Sequence, residues 1–121
     1  MAYYKILDRM NEIYEYRKAS AEALGYTWCL KGFLSVVYDK DDGSMILWEP
    51  DEDANQREMI EDFLLREHGL DILMRFEQDS GPVWLAEFWR RGRPKDIYVT
   101  SEDKSKPIAF MKAFMEYQDT S

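Results

Sequence analysis

A chain of 121 residues with a formal charge of −8, 45% hydrophobic and 15% aromatic side chains, holds ample apolar material for one packed core and is incompatible with wholesale disorder. At this length a single α+β domain spanning residues 1–121 is expected. The one cysteine, Cys29, excludes an intramolecular disulfide and favours a reducing compartment, and neither a signal peptide nor a membrane span is expected from a start interrupted by Lys5, Asp8 and Arg9.

Residues 2–24 read as an amphipathic helix. Tyr3, Leu7, Met10, Tyr14 and Leu24 lie near one stripe, widened by Ile6 and Ile13, and Gly25 suits the left-handed position that ends a helix. Tyr26–Leu30 either lengthens the strand that follows or covers the sheet. Phe33–Tyr38 and Ser44–Trp48 flank Asp39-Lys40-Asp41-Asp42-Gly43 and predict a hairpin.

Pro50 and Asp51 open a second helix, with Asp51 or Asp53 as its N-cap and Met59, Ile60, Phe63 and Leu64 on its inward face. His68-Gly69 ends it. Three strands follow, at about Leu70–Glu77, Val83–Arg90 and Lys95–Thr100, with turns at Ser80-Gly81-Pro82 and Arg91-Gly92-Arg93. Pro107 suits the first turn of a last helix whose buried stripe is Ile108, Met111, Phe114 and Met115, with 118–121 fraying.

The expected order is α-β-β-α-β-β-β-α. Links of a few residues between strands demand antiparallel pairing, so the fold class is α+β: a sheet of about five strands, the three-strand meander at its centre, with helices packed on it. The expected core is Leu7, Met10, Phe63, Leu64, Ile72, Met74, Phe88, Val99, Met111 and Phe114.

Charge is uneven along the chain. Residues 51–70 carry seven acids against Arg57 and Arg66, a net −5, whereas residues 91–121 carry six basic and five acidic groups. An acidic surface disfavours direct nucleic-acid binding, which needs cations against phosphates. Asp51, Asp53, Glu58, Glu61 and Asp62 form a candidate partner-binding surface. Arg90, Arg91, Arg93 and Lys95, with Trp89 beside them, form the one basic-aromatic concentration and a candidate site for a nucleotide-like ligand.

No catalytic set emerges. The Asp39–Gly43 loop fails calcium-loop spacing, because glycine stands fifth and Pro50 stands twelfth, so it reads as a polar hairpin turn. His68 is the only histidine and is expected to face solvent at a helix end, while Cys29 between Trp28 and Leu30 reads as a small buried hydrophobe. The six glycines are scattered singly, which offers no phosphate loop. No metal and no cofactor are expected.

Gly25-Tyr26-Thr27-Trp28, Trp48-Glu49-Pro50-Asp51, Val83-Trp84-Leu85-Ala86-Glu87-Phe88 and Lys106-Pro107-Ile108-Ala109-Phe110-Met111-Lys112-Ala113-Phe114 together resemble the phage αβα-sandwich ("ABA sandwich") domain, a family of small phage and prophage proteins. The resemblance implies a viral or prophage origin and a sandwich-like fold. It carries no catalytic residue. The function expected from all of this is a small acidic non-enzymatic protein that binds a host or phage protein in the cytoplasm, with no membrane role. The alternative is sequestration of a nucleotide-like molecule at the basic hairpin. A homodimer through an exposed strand edge is compatible with either.

Overall fold

The computed structural model describes residues 2–39, 41–79, 81–92 and 97–120. The chain divides into two compact units, the first ending at Arg57 and the second beginning at Glu58. The order is α-β-β-β-α-β-β-β-α. The class is α+β, and the expected single sheet of about five strands is corrected to two three-stranded antiparallel sheets. The additional strand, Thr27–Lys31, falls on the segment Tyr26–Leu30 whose role the sequence left open.

In the first unit, helix α1 (Ala2–Ala23) is followed by β1 (Thr27–Lys31), β2 (Leu34–Tyr38) and β3 (Met45–Leu47). Lys31 pairs with Leu34, so β1 and β2 are joined by the two-residue loop Gly32-Phe33. Gly32 has φ +65°, and a II′ hairpin turn needs a positive φ at this first loop position. The loop between β2 and β3 is the expected polar turn: the Asp39 carboxylate accepts the Asp41 and Asp42 N–H groups, and Asp42 accepts that of Ser44.

The buried face of α1 differs from the expected stripe. Tyr16, Arg17, Ser20 and Ala21 are buried, Ile13, Tyr14 and Leu24 are half-buried, and Met10 is 42% exposed. The side chains of Tyr3, Ile6 and Leu7 lie outside the described residues. Two of the four buried positions are polar, and each has a partner remote in sequence. Ser20 Oγ accepts from the Trp48 indole at 3.1 Å and donates to the Arg17 carbonyl. Ser35 Oγ on β2 accepts from Trp28 Nε1 and donates to the Trp48 carbonyl, both at 2.7 Å. This chain of hydroxyls satisfies both indoles where α1 meets the sheet.

Arg17 closes the same unit against Asp51. The pair is bidentate, at 2.7 and 2.8 Å, and both side chains are nearly buried. Burial alone would lower the Arg17 pKa. The Asp51 hydrogen bond and charge, with Glu49 and Glu52 behind them, outweigh it and raise the pKa above its ordinary value.

Helix α2 (Ala54–His68) starts in the first unit and continues into the second. Asp53 is its N-cap, accepting the Gln56 N–H at 3.1 Å. Gln56 in turn reaches back, donating to the Leu47 carbonyl and accepting the Glu49 N–H.

The second unit adds β4 (Leu70–Glu77), β5 (Val83–Arg90), β6 (Ile97–Asp103) and α3 (Lys106–Thr120). The sheet order is β4-β5-β6, with α3 lying on β5 and β6. The last strand ends later than expected, at Asp103, and its expected first residue, Lys95, lies outside the described residues, as do Ser80 and Ser121. Ser105 caps α3, and the helix runs to Thr120. Leu64, Phe88, Val99, Met111 and Phe114 are buried as expected, joined by Leu70, Ala86, Ile108, Ala109, Phe110 and Ala113. Phe63, Ile72 and Met74 are half-buried.

Candidate functional site

The sequence features that bear on a site converge in the second unit, where α2 runs beside β4. Residues 58, 61, 62 and 65 recur at helical spacing and form one stripe, opposite the buried Ile60 and Leu64. Gly69 then turns the chain into β4. Its φ is +64°, its N–H donates to the Leu65 carbonyl, and its carbonyl accepts from Arg91 N–H. The helix therefore hands directly to β4.

Between them opens a groove of about 320 Å³ lined by Glu58, Glu61, Asp62, Leu65, Leu70, Asp71 and Ile72. Leu65, Leu70 and Ile72 supply an apolar floor, and the carboxylates ring it. Asp62 is paired with Arg66 at 3.1 Å, an exposed i,i+4 bridge. Exposed pairs of this kind contribute little and exchange partners readily. The groove is thus acidic above and greasy below, which suits the stem and head of a lysine or arginine.

The backbone of β4 is the second component. Among the described residues its one strand neighbour is β5, so one side of it is a sheet edge. The Gly69–Arg91 hydrogen bond sets the phase of the ladder with Leu70 opposite Arg90. Asp71, Leu73, Arg75 and Glu77 therefore bond inward to β5, while Leu70, Ile72, Met74 and Phe76 direct their N–H and C=O groups away from it. Ile72 also lines the groove, so its backbone donor and acceptor face outward beside the carboxylates, whereas Leu70 is buried.

Of the five acids singled out as a partner-binding surface, Glu58, Glu61 and Asp62 line this groove. The other two serve the fold instead. Asp51 is buried against Arg17 and Asp53 caps α2.

The basic hairpin is dispersed. Arg90 donates to the Tyr98 hydroxyl and its guanidinium lies 5.3 Å from the Tyr98 ring centroid. Trp89 faces the other side of the sheet, where its indole donates to Glu87 at 3.3 Å; Arg75 donates to the same carboxylate at 2.9 Å. Arg91 is exposed, and Arg93 and Lys95 lie outside the described residues. Strand alternation thus separates the indole from the Arg90 guanidinium.

An aromatic cluster that sequence reasoning missed occupies the end of the second unit. His68 Nδ1 hydrogen-bonds with the Tyr117 hydroxyl at 2.9 Å, and its ring meets Phe63 and Tyr117 edge-on. Tyr117 also meets Phe88 and Tyr98. Burial, then the neighbouring Tyr98, push the Tyr117 phenol above its usual range, against an opposing effect of Arg90. His68 is exposed as expected, yet engaged, and 49 residues separate it from its partner. No local pattern encodes that pairing.

Cys29 is half-buried rather than buried, 3.9 Å from the Tyr38 hydroxyl. In the first unit Leu34, Met45 and Leu47 share one face of the sheet and are about half exposed, and Phe33 at the hairpin tip is 90% exposed. Among the described residues no group of three or more His, Cys, Asp and Glu side chains could hold a metal ion. Among the described residues no helix is long and apolar enough to cross a membrane.

No protein-family model matches the chain, and neither the curated proteins nor the solved structures contain a significant match.

Proposed function

We propose that this chain is a small acidic, non-enzymatic binding protein that works by contact with another protein, and that the α2–β4 groove is its working surface. The observation that carries this reading is the joining of Glu58, Glu61, Asp62 and Asp71 to an apolar floor in one groove. Such a surface selects a basic partner, because a cation there gains charge attraction while its aliphatic stem leaves water. A phage or prophage origin, as the sandwich resemblance implies, would make that partner a host protein. The groove is preferred to the basic hairpin as the working site because Trp89 and Arg90 point to opposite faces there.

The test is affinity capture of basic proteins at low and at physiological salt. Binding should weaken as salt screens the groove, over a Debye length of about 8 Å at physiological ionic strength. The triple variant Glu58→Arg, Glu61→Arg, Asp62→Arg should lose it. Retention of the same proteins by that variant would remove the groove from the account.

A further inference from the structure

We infer that the partner enters the groove as an extended basic segment that adds a fourth strand to the β4 edge. This inference rests on the groove being the working surface and specifies how it is used. Three observations define the occupant.

The first is the set of backbone groups. Ile72, Met74 and Phe76 present N–H and C=O away from β5, at every second residue, which is the pattern an added strand satisfies, while Leu70 at the start of the strand is buried. An α-helical ligand satisfies its own backbone and would leave that edge unused.

The second is the dimension of the groove. The α2 stripe from Glu58 to Leu65 extends about 10 Å at 1.5 Å per residue. Ile72–Phe76 extends about 13 Å at roughly 3.3 Å per residue. A segment of about four to five extended residues matches both walls.

The third is charge and alternation. In an added strand, alternate side chains point to α2, over Leu65, Leu70 and Ile72 and towards Glu58, Glu61 and Asp62. Lysine or arginine fits there. The intervening side chains lie on the other face of the sheet beside Leu73, with Asp71 and Arg75 on either side of it, where a short uncharged residue such as valine fits. The occupant therefore alternates basic and apolar residues. A second copy of this chain is a poor occupant, because pairing two β4 edges would bring two acidic α2 stripes together.

The probe is a blocked hexapeptide of alternating lysine and valine, titrated into the full chain by fluorescence anisotropy. Two N-methylated versions accompany it, one methylated on the lysines and one on the valines. N-methylation removes a donor, so the version methylated on the edge-facing residues should bind about tenfold or more weakly, and the other should bind like the parent. Hydrogen exchange should slow at Ile72, Met74 and Phe76 on binding, with Leu73 and Arg75 unchanged.

Equal binding of both methylated peptides, or unchanged exchange at the three outward amides, would overturn strand addition and leave the acidic groove standing. No binding of the parent peptide, or equal binding to the Glu58→Arg, Glu61→Arg, Asp62→Arg variant, would overturn the groove reading itself. A peptide-free protein that sediments as a dimer and is dissociated by the peptide would assign the edge to a second copy and overturn the basic-partner proposal.

Discussion

The Arg17–Asp51 pair predicts a large, non-additive stability effect in the first unit. Side-chain exposures of 11% and 5% leave both charges little access to water, and two hydrogen bonds of 2.7 and 2.8 Å compensate for that. Asp51→Ala strands a buried guanidinium, and Arg17→Met strands a buried carboxylate. Removing one partner of such a pair costs about 3–5 kcal/mol. For a small unit in which 1 kcal/mol moves the melting point by roughly 4–8 °C, each single change should lower Tm by more than about 12 °C. Replacing both partners, Arg17→Met with Asp51→Leu, leaves no stranded charge, so the double variant should cost less than the sum by about 2 kcal/mol or more. Native-state hydrogen exchange at the β2 amides reads this unit separately from the second. Single variants each costing under about 1 kcal/mol, or a double variant equal to the sum of the singles, would refute the reasoning.

Further predictions concern both units. Ser35→Ala leaves the Trp28 indole and the buried Trp48 carbonyl without the shared hydroxyl, and should cost about 1–3 kcal/mol in chemical denaturation. Gly69→Ala adds a Cβ that meets nothing within 4 Å, so its cost should be the positive-φ strain alone, about 1 kcal/mol. Tyr117 has a raised pKa, so the folded state favours the neutral phenol; the stability this contributes is complete below the usual tyrosine range near 10 and is lost as pH rises through the folded value. Melting curves taken between about pH 9 and 11.5 should show that loss, and Tyr117→Phe should reduce its slope; an unchanged slope would dissociate it from Tyr117.

The strands of the second unit are legible because Leu70–Glu77 alternates and Val83–Arg90 is bounded by Gly81-Pro82 and Arg91-Gly92. Their antiparallel order follows from the short links. The division into two sheets is not legible, because Thr27–Lys31 carries no alternation that names a partner and because pairing between remote strands leaves no local mark. The α1 face misleads for a related reason. Arg17 and Ser20 look solvent-facing until Asp51 and Trp48 arrive from over twenty-five residues away to receive them. Once those partners are in place, the helix turns the polar pair inward and leaves Met10 outside.

The candidate site divides the same way. The acidity of Glu58, Glu61 and Asp62 is plain in the sequence, but a row of acids on a helix is ordinarily a solvated face. What changes its meaning is the neighbour: β4 contributes Leu70 and Ile72 to the floor and an open edge to the wall. The residues that dropped out of the acidic set, Asp51 and Asp53, are those at the helix start, where local backbone and an ion pair claim the carboxylate.

The most direct measurement is amide shift mapping of the full chain as the lysine–valine peptide is added. Perturbations should be confined to Glu58–Leu65 and Leu70–Phe76 and should be abolished by the three arginine substitutions. Perturbations centred on Arg90, Arg91 and Tyr98, or on the exposed Leu34, Met45 and Leu47 face, would place the working surface elsewhere and contradict it.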